Sequence, residues 1–403
     1  MHYNILICIN RPVNEDKALS MHFGVFKEIK NAGEVYKVYI PGTLPPKLNL
    51  EPFYALLDQA NQGLGKLDAM TFFLPDVNLF IYLYVRKEAL LSSQIEGAQS
   101  SLADLFLAEN NKKPSVPLSD IEEVTNYVAA INYGINKIQN EDFPISLRLI
   151  REIHDILMRD VRGQDKKPGE FRYSQNWIGG NRPGNAVFVP PPPQKIIQLM
   201  GDLETFIHAR NVNMPLLIKV ALIHVQFESI HPFLDGNGRL GRLLVTLLLC
   251  ERNLIKQPIF YLSYFFKKHR TEYYSLLQKV REENQWNEWI KFFLRGVIET
   301  SNDAFETTMK LTHLMKLDLE KINSLGRVSQ SVEKVFKYLQ RKPIVGVPEL
   351  ASNLKLSPHT VKLALDHLEA LGIIKEITGL RRGRTYTYDK YLSLLREGDE
   401  PLQ

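Results

Sequence analysis

Cysteine is nearly absent: Cys8 and Cys250 are the only two in 403 residues. So low a count, in two unrelated local contexts, argues against a disulfide framework and fits a reducing cytoplasm. There is no apolar run of about 18 residues, so neither a transmembrane helix nor a membrane partner is expected. The densest apolar stretch, residues 243–250, stops at Glu251-Arg252. The first eight residues are apolar but lack a basic flank and a small-residue cleavage site, so no signal peptide is expected there. No internal repeat is present. Neither sign of charge dominates: the net charge is +5, mildly basic and by itself weak evidence for a nucleic-acid or phosphate partner. What remains is an ordinary globular composition, 44% hydrophobic and 24% charged, on a chain long enough for two or three domains.

Residues 5–9 and 34–40 read as short strands. Pro41-Gly-Thr-Leu-Pro45-Pro46 reads as an extended linker, because each proline disfavours helix before it. Helical periodicity then predicts helices near 50–64, 76–107, 119–137, 145–158, 194–208 and 214–230, with others near 237–252, 269–282, 285–310 and 311–323. Residues 169–193 break that pattern. Trp177-Ile178-Gly-Gly-Asn and Ala186-Val-Phe-Val189 flank a Gly/Asn/Pro turn and predict a β-hairpin, ended by the proline run 190–193. After residue 326 the character changes. Helices near 329–339, 347–354 and 357–371, then a two-stranded ribbon over 373–388 with Gly379-Leu-Arg-Arg-Gly383 at its tip, are the layout of a winged helix-turn-helix. The expected fold class is mainly α, a helical bundle with a β-hairpin flap followed by this winged helix.

The chemistry concentrates in His231-Pro-Phe-Leu-Asp235-Gly-Asn-Gly-Arg239-Leu-Gly-Arg242. An apolar helix ends at His231, since Pro232 disfavours helical geometry in the residue before it. That leaves an imidazole at a helix end, suited to act as a general base. The glycine-rich turn Gly236-Asn237-Gly238 opens a new helix and presents unpaired N–H groups to phosphate oxygens. Arg239 and Arg242 are three apart and share a face, as two guanidiniums gripping a polyphosphate would. Asp235 stands beside that anion site as a magnesium or manganese ligand would. Each piece alone has a plainer reading: a helix stop, a turn, a solvated face. Together the segment reads as a nucleotide and metal site.

This segment resembles, without departure, the HPFxDGNGRxGR signature of Fic (Fido) domain proteins, most of which transfer AMP from ATP to a protein hydroxyl. The resemblance covers roughly residues 40–300. It implies that His231 deprotonates a Ser, Thr or Tyr hydroxyl of the target and that Phe233 packs behind the loop. It implies that Asp235 holds magnesium, and that Asn237 with the backbone of Gly236–Gly238 holds the α- and β-phosphates. Arg239 and Arg242 would take the leaving pyrophosphate, and Leu240 and Gly241 complete the nucleotide-binding stretch. The hairpin at 178–189 resembles the family's flap, which clamps a target segment by main-chain pairing. Asn185, Ala186, Val187 and Phe188 would line the nucleotide pocket, and Tyr273-Tyr274 match an aromatic pair near adenine, although such a pair in a helix also suits a core.

Ser92-Ser-Gln-Ile-Glu96-Gly97 resembles the family's inhibitory motif. Ser92 and Glu96, four apart, share a helix face. The resemblance implies an ion pair from Glu96 to Arg242 that takes the γ-phosphate partner away from ATP, or else a role for Glu96 in removing AMP from a modified target. The implied division is an N-terminal extension (1–37), a helical region carrying the inhibitory helix (38–120), a catalytic domain (121–300), a linking helix (301–325), the winged helix (326–395) and a tail (396–403).

In 372–390, Lys375, Arg381, Arg382, Arg384 and Lys390 exceed Glu376 and Asp389 by three charges. With Ser357, His359, Thr360 and Lys362 at the start of the recognition helix, residues 357–388 suit DNA contacts, or equally dimerisation or substrate docking. Three functions follow: a cytoplasmic AMP-transferring enzyme using ATP, a DNA-binding regulator with a nucleotide-sensing domain, or the same fold with another transfer chemistry. A homodimer is compatible with each.

Overall fold

Two helices with almost no polar face organise the molecule. A helix apolar all round must be buried on every side, and both Leu216–Ile230 (α7) and Asn237–Glu251 (α8) are buried along nearly their whole length. The computed structural model describes residues 23–402 except 32, 110–113, 160–165 and 211–212. The strand expected at 5–9 therefore lies outside the described residues. The fold is mainly helical, with one two-stranded and one three-stranded sheet among the described residues.

The chain opens with the antiparallel pair Val25–Asn31 (β1) and Glu34–Ile40 (β2). Only the second strand was expected. Helices Tyr54–Met70 (α1), Val77–Ile95 (α2), Leu102–Glu109 (α3), Leu118–Asn140 (α4) and Leu147–Leu157 (α5) follow, then Ile196–His208 (α6), α7 and α8. Beyond them come Ser263–Lys268 (α9), Arg270–Glu283 (α10) and Trp286–Asn323 (α11). α7 packs on α8, α4 on α5 and α8, α2 on α4 and α9, and α1 along α11.

Two helices expected to be single or divided turn out otherwise. The stretch 76–107 breaks between Ile95 and Leu102. Gly97 there has φ +106° and the Ala98 N–H donates back to the Ser93 carbonyl at 3.1 Å, a glycine-ended helix. Asp104 and Ser101 then cap α3 reciprocally, the Ser101 N–H donating to Asp104 Oδ2 at 3.1 Å and the Asp104 N–H to Ser101 Oγ at 3.2 Å. Conversely, the stretches expected at 285–310 and 311–323 form one helix, α11, which also runs through the boundary expected at 300. No proline interrupts it, and its buried residues continue from Trp286 to Ile322.

The C-terminal region holds Ser329–Arg341 (α12), Ile344–Gly346 (β3), Val347–Leu354 (α13), Pro358–Ala370 (α14), Lys375–Glu376 (β4), Thr385–Thr387 (β5) and Asp389–Leu395 (α15). The three helices and the ribbon stand where expected. The ribbon has a third strand, however: the sheet order is β3-β5-β4, with β5 antiparallel to both neighbours. Part of the basic surplus is paired, Lys375 with Asp389 at 2.8 Å, and on α14 Lys362 pairs with Asp366. Arg381 and Arg382 stand exposed at the turn.

Residues 396–402 fold back onto the core. Asp399, fully buried, accepts from the Leu102 N–H at 3.1 Å. Gln94, in the last turn of α2, donates to the Asp399 and Ser100 carbonyls, both at 2.7 Å. Lys267 on α9 donates to the Gly398 carbonyl at 3.1 Å. The end of α2 is thereby held from behind. No helix among the described residues is long and apolar enough to cross a membrane.

Candidate active site

The loop between α7 and α8 is built from its own side chains inward. His231 ends α7 in the left-handed region, φ 50°, with its N–H donating to the Phe227 carbonyl at 2.9 Å. That geometry costs a non-glycine residue roughly 1–2 kcal/mol, so neighbours must hold it. Arg172 does: its buried guanidinium donates to the His231 carbonyl at 2.8 Å and the Pro191 carbonyl at 2.5 Å, and its own N–H donates to the Pro232 carbonyl at 2.9 Å. Asn176 donates to the Leu234 carbonyl at 3.1 Å. The ring of Phe233, fully buried as expected, stacks on His154 with centroids 3.7 Å apart. The Gly169 N–H donates to His154 Nδ1 at 2.9 Å, which leaves Nε2 as the donor to the Asp235 carbonyl at 3.0 Å.

Asn237 is turned into the loop. Its side-chain oxygen accepts from the Phe233 N–H and its amide donates to the Phe233 carbonyl, both at 2.9 Å. Its side chain thus clamps the loop from within, and its backbone N–H lies in the first turn of α8. Gly236 caps α8 at φ 73° with no side-chain hydrogen bond to the first turn, so that turn's N–H groups remain for an anion. Asp235 is exposed, with Oδ1 accepting from the Gly236 N–H at 2.6 Å.

A cavity of about 430 Å³, a size suited to a small ligand, opens beside this loop. His231, Gly238, Arg242, Val187, Phe188, Tyr273, Tyr274 and Glu96 line it, together with Ile178, Glu228, Arg270, Leu277, Gln278 and Arg281. The two arginines of the motif part company. Arg242 faces the cavity and α2, whereas Arg239 is buried against α4, 3.3 Å from Glu123. Leu240 is core and Gly241 packs beneath Glu228. Asn185 and Ala186 do not line the cavity. Asn185 sits at the exposed flap tip, accepting from the Asn181 and Arg182 N–H groups at 3.1 Å each. Ala186 packs with Tyr36, Val38 and Val189. Tyr273 is core, its hydroxyl hydrogen-bonded to His224 Nε2 at 2.9 Å, while Tyr274 stays 39% exposed at the cavity.

The expected hairpin at 178–189 is a looser flap. One bridge, Ile178 to Phe188, closes it around the short 3-10 turn Pro183–Asn185. What stiffens it is β2: the Tyr39 N–H donates to the Val189 carbonyl at 3.0 Å and Glu34 pairs with Arg182 at 3.2 Å. Sequence reading missed this brace, along with Arg172, His154, Asn176, Glu228 and Arg281. Apart from Glu228, which stands three residues before His231, each acts on residues far away in the chain and carries no local signal.

The Ser92–Glu96 motif meets Arg242 as the resemblance implied. Arg242 Nε donates to Ser92 Oγ and its NH2 donates to the Ser92 carbonyl, both at 2.9 Å, and to Glu96 Oε1 at 2.8 Å. A Cβ on Gly238 would come within 2.2 Å of that oxygen, so any larger residue there would make the Glu96 carboxylate shift.

The family comparison agrees with this geometry. Residues 54–136 match the Fic/DOC family N-terminal model and residues 144–249 the Fic/DOC family model. The two matched stretches follow one another along the chain, the N-terminal one first. Among curated Fic relatives, Protein adenylyltransferase Fic of Aedes aegypti is 30% identical over 226 residues, 55% of this chain and 42% of that protein. The protein of the same name from Drosophila grimshawi is 30% identical over 233 residues, 58% of this chain and 43% of that protein. The chain thus spans under half the length of the curated relatives it matches. A Fic family protein from Desulfovibrio desulfuricans shares the fold, with a TM-score of 0.56 over 85% of this chain and 98% of its own, at 20% identity.

Electrostatics in this Fic core have a testable sign. Burial, as the first cause, holds His154, His224 and His231 below their ordinary 6.5, at about 4, 3 and 3. For His231 the Arg172 and Arg281 charges add to it. In the unfolded chain all three imidazoles take up protons as pH drops past 6.5, so folding stability falls from there downward. Burial pushes Glu88 and Glu228 up from 4.5 to about 7. Their contribution is present below 4.5 and is lost as pH rises through 7. Between 4.5 and 6.5 three protons oppose two, from 4.5 to about 4 the three act alone, and from 4 to 3 only His224 and His231 remain. The thermal midpoint is expected to fall gently from pH 6.5 to 4.5 and steeply from 4.5 toward 3. A uniform decline from pH 7 would contradict these assignments.

Proposed function

We propose that this chain is a protein adenylyltransferase that moves AMP from ATP to a Ser, Thr or Tyr hydroxyl of a protein, itself included, and that Glu96 holds it in check. One observation carries the reading: His231, Gly238 in the first turn of α8 and Arg242 converge on one cavity, and Arg242 is already occupied by Glu96. The target oxygen attacks the α-phosphorus, its proton passes to His231, and the bond to the β-phosphate oxygen breaks to release diphosphate. Burial keeps His231 neutral, as a base must be. The free N–H groups at the start of α8 hold phosphate oxygens, and Arg242 takes the terminal phosphate once Glu96 leaves. Tyr274, Leu277 and Val187 offer apolar surface to the nucleoside.

Asp235 fits a magnesium or manganese ion shared with the nucleotide. It is a single exposed carboxylate, and no group of three or more His, Cys, Asp or Glu residues suited to a metal exists among the described residues. An ion that takes one carboxylate plus phosphate oxygens needs no more, and it would neutralise phosphate charge. The flap supports strand-on-strand docking of the target, since Ile178 and Val187 expose apolar side chains beside the cavity.

The decisive experiment is the intact mass of the protein after incubation with magnesium and each of ATP, GTP, CTP and UTP. The expected result is one added AMP from ATP, absent in His231→Ala. No added mass with any nucleotide, even for Glu96→Gly, overturns the reading.

A further inference from the structure

Glu228 is a buried carboxylate that the mechanism above does not use. It lies on the last turn of α7, three residues before His231, and lines the same cavity. The residue is 6% exposed, and its Oε1 is buried without a hydrogen-bond partner. That oxygen lies 2.3 Å from where a Cβ on Gly241 would sit, against the second turn of α8. A buried acceptor with no donor is costly unless a ligand or a proton satisfies it.

The groups around it do not satisfy it in the resting protein. From α8, Arg242 is committed to Ser92 and Glu96. From α10, Arg281 donates to the Glu228 carbonyl and to Ser229 Oγ, both at 3.2 Å, and its guanidinium lies 3.7 Å from the centre of the Phe188 ring. The Tyr273 hydroxyl is held by His224, and Tyr274 stands across the cavity. From the end of α2, the Glu96 carboxylate adds a like charge, and His231 on the same side is neutral. Burial is the leading reason that Glu228 rises to about 7, with the two arginines opposing and Glu96 assisting.

A polyphosphate in this cavity would replace one carboxylate at Arg242 by a larger negative charge. An ionised Glu228 would then face phosphate oxygens as a like charge, whereas a carboxylic acid is a hydrogen-bond donor to them. We propose that Glu228 binds the nucleotide as a neutral acid, donating its O–H to a phosphate oxygen, so that binding takes up one proton from solvent. The inference rests on the nucleotide reading of the cavity. It makes Glu228 a phosphate-binding residue in addition to the motif, and it makes nucleotide affinity fall with rising pH.

The test uses the full chain carrying Glu96→Gly, so that Arg242 is open, with and without Glu228→Gln, and α,β-methylene ATP with magnesium as the probe. Calorimetry at pH 8 in two buffers of different ionisation enthalpy counts the protons. The Glu96→Gly protein should take up nearly one proton more than the Glu96→Gly/Glu228→Gln protein. Its affinity should weaken by a factor approaching ten per pH unit above 7.5, with a flatter profile for the double variant. The same count in both, or none with Glu228 intact, overturns the proposal while the nucleotide reading stands. The second of these outcomes is read without the Gln variant, so it holds even if that variant folds poorly. Absence of binding to the Glu96→Gly protein overturns the nucleotide reading itself, and the proposal with it.

Discussion

His231→Ala is expected to lower AMP transfer by about 10²- to 10⁴-fold, the range over which a positioned general base accelerates a reaction. Nucleotide affinity should stay within about threefold, because in the proposed mechanism the phosphates are held by the α8 backbone and by Arg242. The expectation rests on three features of the ring. It is neutral, it lines the cavity, and it is fixed by a left-handed backbone that Arg172 pins through the His231 carbonyl. Loss of the imidazole leaves that backbone bonding in place, since the bonds run through main-chain atoms. The measurement is incorporation of labelled AMP alongside equilibrium binding of a non-transferable analogue. A variant that keeps more than a tenth of wild-type transfer would assign the base elsewhere.

Glu96→Gly is expected to raise automodification on the order of ten- to a hundredfold. Arg242 is buried, its side chain only 2% exposed, whereas that of Glu96 is 37% exposed. Removing the carboxylate therefore frees a desolvated guanidinium that has two remaining bonds, both to Ser92. A charge-assisted hydrogen bond contributes about 1.5–3 kcal/mol, which corresponds to a ten- to hundredfold shift between closed and open forms. Glu96→Gln should fall between wild type and Glu96→Gly, as a neutral side chain of the same shape makes the weaker bond. Equal automodification in all three proteins, at equal nucleotide affinity, would remove Glu96 as a brake.

The site was legible where its residues are neighbours in the chain. His231 at a helix end and the glycine turn follow from local geometry, Phe233 behind the loop follows from the resemblance, and the structure places all three so. Helix positions were legible for the same reason, since a periodic apolar face survives any tertiary context. Side-chain direction was not. Spacing put Arg239 and Arg242 on one face, yet each guanidinium follows its own carboxylate, Glu123 on α4 or Glu96 at the end of α2. Asn237 has phosphate-binding chemistry, but a buried loop needed its amide more. The flap needed β2 and the loop needed Arg172, and both partners are distant in sequence with no signature of their own. The break at Gly97 had a signal, a glycine followed by a Ser-x-x-Asp cap, that an unbroken apolar periodicity outweighed.

The helix that bears Glu96 is locked up to its final residue. Ser92, Ser93, Gln94 and Ile95 are buried, and Gln94 is tied to the Ser100 and Asp399 carbonyls, while Glu96 emerges into the open. Freeing Arg242 thus requires rotation about the torsions of one exposed side chain and no displacement of α2. Such rotations take picoseconds to nanoseconds, whereas enzyme turnover commonly takes about a millisecond to a second. The Glu96 side chain would therefore leave and return to Arg242 many times within each catalytic cycle. The restraint proposed for Glu96 would then be a standing equilibrium, with no lag before the first turnover and no memory of the last one.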